Sequence, residues 1–148
     1  SKAIPETITA PKATSVSTRQ IEDLLVLCID NEESILSGME VLLSGWGCRV
    51  ITARDLATAL EAIKDQDQNP DIILVDFHLD HSNGLDTITG LRWKFGQTMP
   101  AILITAGRSP GLRKEAADKN IPILHKPVKP AALRALIVQH QVQRLAAE

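Results

Sequence analysis

Apolar residues fall along this chain in two alternating kinds of block: short unbroken runs, and longer stretches in which they return every three or four positions. Leu25 to Ile29 is an unbroken run, and behind it Ile35, Met39, Leu42 and Leu43 recur at helical spacing, with Ser34 placed to cap. Gly45-Trp46-Gly47 breaks that helix, Cys48 to Thr52 makes a second strand, and Leu56, Leu60 and Ile63 form a stripe ending near Asn69-Pro70. The unit then repeats. Ile72 to Val75 is a third strand, Leu85 to Phe95 a third helix, Ala101 to Ile104 a fourth strand and Leu112 to Lys119 a weaker helix. Ile121 to Leu124 closes the strand series, and a last helix runs from about Pro130 through Leu133, Leu136 and Ile137 toward Leu145.

Strands that are apolar throughout are buried on both faces, and helices between them supply the cover, so the pattern predicts an open α/β sandwich on a parallel sheet. About 125 ordered residues suffice for five such units and fall far short of the roughly 250 of an eight-stranded barrel. Ligands of open sheets bind beyond the carboxyl ends of the strands, where strand order reverses.

Composition adds limits. Residues 1–22 are rich in Ser, Thr and Pro and poor in periodicity, which predicts a flexible linker or tail, with the domain over 23–148. A tether and a terminus without a role fit that segment equally well. Sixteen basic and 18 acidic side chains, a net of -2, leave no basic field for nucleic acid or anionic lipid. The apolar runs are strand-sized, so no membrane contact is expected. Cys28 and Cys48 lie in or beside apolar runs, as buried free thiols do, and predict a reducing, cytoplasmic setting. Nothing at the start reads as a secretory signal, and Ser1 in place of Met leads us to expect the native N-terminus elsewhere.

The chemistry collects at the strand ends. The first strand ends in Asp30-Asn31-Glu32, the third in Asp76, the fourth in Thr105-Ala106-Gly107 and the fifth in His125-Lys126-Pro127. A single Asp after a strand is usually a cap or turn residue. Acids from two strands, a hydroxyl from a third and a lysine from a fourth cannot all be caps, because Asp76 is followed by Phe77-His78-Leu79 and not directly by a helix. A carboxylate can attack phosphorus to form an acyl phosphate, which makes Asp76 the candidate nucleophile. Asp30, Asn31 and Asp76 offer the hard oxygens that suit Mg²⁺. Lys126 would meet a phosphoryl oxygen as a point charge, and the Thr105 hydroxyl and Ala106 amide would donate to others.

In these residues, over roughly 24–146, the chain resembles the receiver domain of two-component response regulators: an acidic pair after the first strand, a phospho-accepting Asp after the third, Thr or Ser after the fourth, and Lys-Pro after the fifth. The resemblance implies a flavodoxin-like (CheY-like) doubly wound sheet of five parallel strands in order 2-1-3-4-5 with five helices. It also implies a metal contact from the backbone carbonyl of His78, and phosphoryl donation by a histidine kinase or histidine phosphotransfer protein. Such a domain would be a switch and not an enzyme, signalling through its fourth helix, fifth strand and fifth helix, the face through which a homodimer would form. The linker composition ahead of the domain, with the Asp76-Phe-His-Leu-Asp80 and Asn83-Gly84-Leu85-Asp86 stretches, resembles receivers at the C-terminus of hybrid sensor kinases. No DNA-binding module follows the last helix, so output is expected to lie elsewhere.

Two departures stand out. Asn31 replaces one acid of the pair, which predicts weaker metal binding, with Glu32 a weak compensator. Ile123 stands three residues before the lysine, where relatives carry Tyr or Phe, so the aromatic switch is missing. Both leave open a second reading, a degenerate receiver that binds partners without phosphorylation. A flavin carrier on the same sheet fits poorly, since no phosphate-cradling loop follows the first strand and Trp and Phe total four with no Tyr. Asp76 to Thr87 is no calcium loop, lacking the sixth-place Gly and the final Glu. The histidines, His78, His81, His125 and His140, lack metal-ligand spacing, and Trp93 and Phe95 are expected to pack in the core.

Overall fold

The computed structural model describes residues 21–147, so the predicted linker over 1–22 lies outside the described residues except for its last two positions. Five strands, β1 (Leu25–Ile29), β2 (Arg49–Ala53), β3 (Ile72–Asp76), β4 (Ala101–Thr105) and β5 (Ile123–His125), form one parallel sheet in the order β2-β1-β3-β4-β5. Helices α1 (Glu33–Gly45), α2 (Leu56–Lys64), α3 (Gly84–Phe95), α4 (Pro110–Asp118) and α5 (Pro130–Ala147) connect and cover it. The expected order and layer arrangement are those observed.

The alternation of side chains along a strand divides the core in two. Val26, Cys28, Leu74 and Ile102 point to the face covered by Leu36, Met39 and Leu43 of α1 and Leu133 and Ile137 of α5. Leu25, Leu27, Ile29, Ile73 and Leu103 point to the other, covered by Ile63 of α2, Ile88 and Leu91 of α3 and Ala116 of α4. The three central strands are buried at every position and the two edge strands are not, which is why only the central ones read as unbroken apolar runs. Both cysteines are free and buried. Burial pushes both thiols up, that of Cys48 to about 11, so neither is a thiolate at neutral pH.

Several local expectations are corrected. Ser34 does not cap α1: Glu32 is the cap residue, and it forms no side-chain capping bond. The inward stripe of that helix is Leu36, Met39 and Leu43, while Ile35 faces out. Ile21, just ahead of the expected domain start at 23, is fully buried and its carbonyl accepts from the Cys48 thiol at 3.4 Å. The fifth strand starts at Ile123, two residues late, since the Ile121 N–H is spent closing α4 on Ala116. Trp93 is 85% exposed, because the stripe of Leu85, Ile88 and Leu91 turns α3 so that residue 93 lies outside; Phe95 does pack against the core.

Candidate functional site

The strand order reverses between β1 and β3, and the acids lie at the carboxyl ends of those two strands. Asp76 is the last residue of β3, and the Phe77 N–H continues the ladder to the Ile104 carbonyl at 2.8 Å, so the acid sits on rigid backbone. Asp30 follows β1, its own N–H bonded to the Ala53 carbonyl at 3.2 Å and its Oδ1 accepting from the Glu32 N–H at 2.9 Å. Glu32 thus reaches the acid through its backbone.

Lys126 joins the two acids. Its N–H bonds to the Thr105 carbonyl at 2.9 Å, which carries the residue beyond the end of β5, and its Nζ lies 3.0 Å from Asp76 Oδ1 and 3.5 Å from Asp30 Oδ2. Both carboxylates are buried while the ammonium keeps partial access to solvent. Burial, reinforced by the neighbouring Asp30 charge, holds the Asp76 carboxyl above its ordinary range against the pull of the Lys126 hydrogen bond. Burial also works to lower Lys126, but the hydrogen bond to Asp76 and the two carboxylate charges prevail and hold it above its ordinary value.

The remaining candidates ring this cluster without joining it. Thr105 is buried at the end of β4, its hydroxyl accepting from the Gly107 N–H at 3.0 Å, and Ala106 beside it is exposed. His78 is exposed, its ring edge-on to Phe77 at 5.0 Å and its backbone bridged to Asn83. Asn31 is turned toward Asp80, with its Nδ2 donating to Asp80 Oδ1 at 2.9 Å. That bond first, and the charge of Arg54 behind it, hold the Asp80 carboxyl below the usual carboxylate range. Asp80 and Arg54 are the participants that spacing does not reveal, since their partners lie on other loops.

Beside Thr105 a groove of about 580 Å³ opens between α4 and β5, lined by Thr105, Arg108, Leu112, Ile121, Ile123 and His125 among others. Among the described residues no three His, Cys, Asp or Glu side chains converge as a ligand cluster. Two buried carboxylates, with the Asn31 amide next in sequence to Asp30, make a sparse, oxygen-only donor set of the kind that suits Mg²⁺, which keeps several waters and takes phosphate oxygens.

Sheet order and a carboxylate pair bridged by lysine at the switch point define a CheY-like α/β architecture. The family model for the response regulator receiver domain matches residues 26–138, and the chain belongs to that family. Its fold matches a response regulator receiver domain protein from Clostridium thermocellum, with TM-score 0.75 and 21% identity over 84% of this chain and 99% of that one. It also matches the chemotaxis protein CheY4 of Vibrio cholerae, with TM-score 0.71 and 24% identity over 79% and 98%. The transcriptional regulatory protein KdpE of Mycobacterium tuberculosis is 36% identical over 96 residues, 64% of this chain and 38% of KdpE. The chain therefore spans less than half the length of that relative. Among the described residues no helix is long and apolar enough to cross a membrane.

Proposed function

We propose that this receiver domain accepts a phosphoryl group on Asp76 from a phosphohistidine of a histidine kinase or histidine phosphotransfer protein, in a Mg²⁺-dependent step. One observation carries the reading: a single ammonium contacts two buried carboxylates at the switch point, at 3.0 and 3.5 Å, on three separate strand ends. An Asp76 oxygen attacks phosphorus, forming the acyl phosphate O–P bond as the P–N bond to the donor imidazole breaks, and the donor nitrogen keeps the electron pair. Asp30, Asp76, Asn31 and the His78 carbonyl would hold Mg²⁺, which when bound neutralises charge on the phosphoryl oxygens. Lys126 leaves its carboxylate partner for a phosphoryl oxygen, and the Thr105 hydroxyl and Ala106 N–H donate to others. Because the Thr105 hydroxyl now bonds Gly107, its recruitment moves the β4–α4 loop and the groove beside Ile123, which carries the signal to the α4–β5–α5 face.

The composition of residues 1–22 supports a tether to another module, as in hybrid sensor kinases, and the buried thiols support a reducing cytoplasm.

Intact mass after incubation with acetyl phosphate and Mg²⁺, quenched in acid, tests the chemistry. One added phosphoryl group is expected, absent in Asp76→Asn and in EDTA. No transfer from acetyl phosphate or from a phosphohistidine donor would sink the reading and leave a phosphorylation-independent binding module.

A further inference from the structure

Asn31 stands where the second acid of the pair is expected, and its side chain is held. Its Nδ2 donates to Asp80 Oδ1 at 2.9 Å, and Asp80 Oδ2 lies 3.6 Å from the Arg54 guanidinium. A carboxylate only accepts, so the end of the carboxamide that faces Asp80 must be its NH₂, and the oxygen is the end left for another partner. A free carboxamide presents either end, and an NH₂ turned toward a cation repels it. The loops after β1, β2 and β3 are tied by these contacts: Asn31 from the first, Arg54 from the second, Asp80 from the third. Asp80 lies four residues beyond Asp76, so the loop that follows the acceptor carries the group that orients Asn31.

We propose that Asp80 is a positioning residue for the cation site: by binding the NH₂ of Asn31 it reserves the carboxamide oxygen for the cation that Asp30 and Asp76 hold, with Arg54 fixing Asp80 in turn. The proposal rests on the Mg²⁺-dependent reading above. It explains how a neutral amide serves at a position of the acidic pair, through selection of its acceptor end and not through added charge. Ligand affinity typically falls 10- to 100-fold when such an outer partner is lost, and the exposed setting of Asp80 places the effect near about tenfold.

The test is Mn²⁺ binding, read from the electron paramagnetic resonance of the free ion and competed with Mg²⁺. It covers the natural chain, Asp80→Ala, Asp80→Asn, Asn31→Asp, and Asn31→Asp combined with Asp80→Ala. Thermal melts verify that each variant folds. Asp80→Ala is expected to weaken binding about tenfold. Asp80→Asn, uncharged but still offering an acceptor oxygen, should stay close to the natural chain. In the Asn31→Asp background a carboxylate has no NH₂ to hold away, so Asp80→Ala should cost nothing. Equal losses in the two backgrounds, or an Asp80→Asn loss as large as that of Asp80→Ala, would show a bare charge effect and overturn the proposal. Binding indifferent to Asp80 overturns it while the phosphoacceptor reading stands; no binding by the natural chain overturns both.

Discussion

The two sides of the site are built to different standards. Toward β1, β2 and β3 the loops are bonded within and between themselves: Asp30 to the Glu32 N–H inside one loop, Asn31 to Asp80 and Asp80 to Arg54 across loops. Gly84 is tightly enclosed there, because a Cβ on it would lie 2.5 Å from the Asp76 carbonyl and 2.9 Å from the Phe77 Cα, backbone atoms that cannot yield. Toward β4 and β5 the Thr105 hydroxyl bonds only across to Gly107, Ala106 is exposed, and a groove of about 580 Å³ lies open beside Ile123. The difference separates two tasks. Groups that hold a cation and aim a nucleophile gain from fixed positions, whereas a segment that reports the reaction must have somewhere to move.

Lys126 belongs to both sides, so its removal should have the largest effect. In Lys126→Met, phosphorylation by acetyl phosphate is expected to slow about 10²-fold or more, as loss of a charge-stabilising group at a reacting centre does, measured by a time course of intact mass. A rate within a few-fold of the natural chain would break the assigned role.

Next come the packed and open sides, tested by adding atoms to each. Gly84→Ala is expected to cost about 1–3 kcal/mol, read from denaturant midpoints, because one methyl meets backbone. A whole ring in Ile123→Phe should change stability by less than about 1 kcal/mol, since the groove takes it. Similar penalties at both positions would erase the contrast.

The acid pair supplies a test in pH. Burial holds the folded Asp76 carboxyl above its ordinary range, so the folded chain binds that proton more tightly than the unfolded one. The linked stability is present below the ordinary carboxylate pKa and is lost as pH rises through the raised value. Asp76→Asn, neutral throughout, is therefore expected to melt above the natural chain near neutral pH in EDTA, with the gap closing on acidification.

Asp55 has the opposite sign. It caps α2 by accepting from the Thr58 N–H at 2.8 Å, and that bond first of all holds its carboxyl below the usual range. Its contribution is present above the ordinary carboxylate pKa and fades as pH falls through the lowered one. Asp55→Ala should cost about 1 kcal/mol at neutral pH and less in acid.

The alternation of apolar runs and helical stripes sufficed for the number of elements and their sequence along the chain, because burial on both faces leaves a central strand no polar position short of its carboxyl end. Asp30, Asp76, Thr105 and Lys126 could be found for a related reason: each is the first polar residue, or nearly so, at or just past the carboxyl end of a strand. Helix ends and outward faces were less readable. Ile35 and Trp93 are apolar and exposed, since a helical stripe three or four residues apart does not say which of two adjacent apolar residues turns inward. The partners of Asn31 and Arg54 were beyond sequence spacing altogether. Asp80 meets Asn31 across 49 positions and Arg54 across a different loop, and the groove beside Ile123 exists only where α4 and β5 leave a gap. Periodicity is local and survives in one dimension; a hydrogen bond between loops depends on where three strands end in space, which packing of the whole sheet sets.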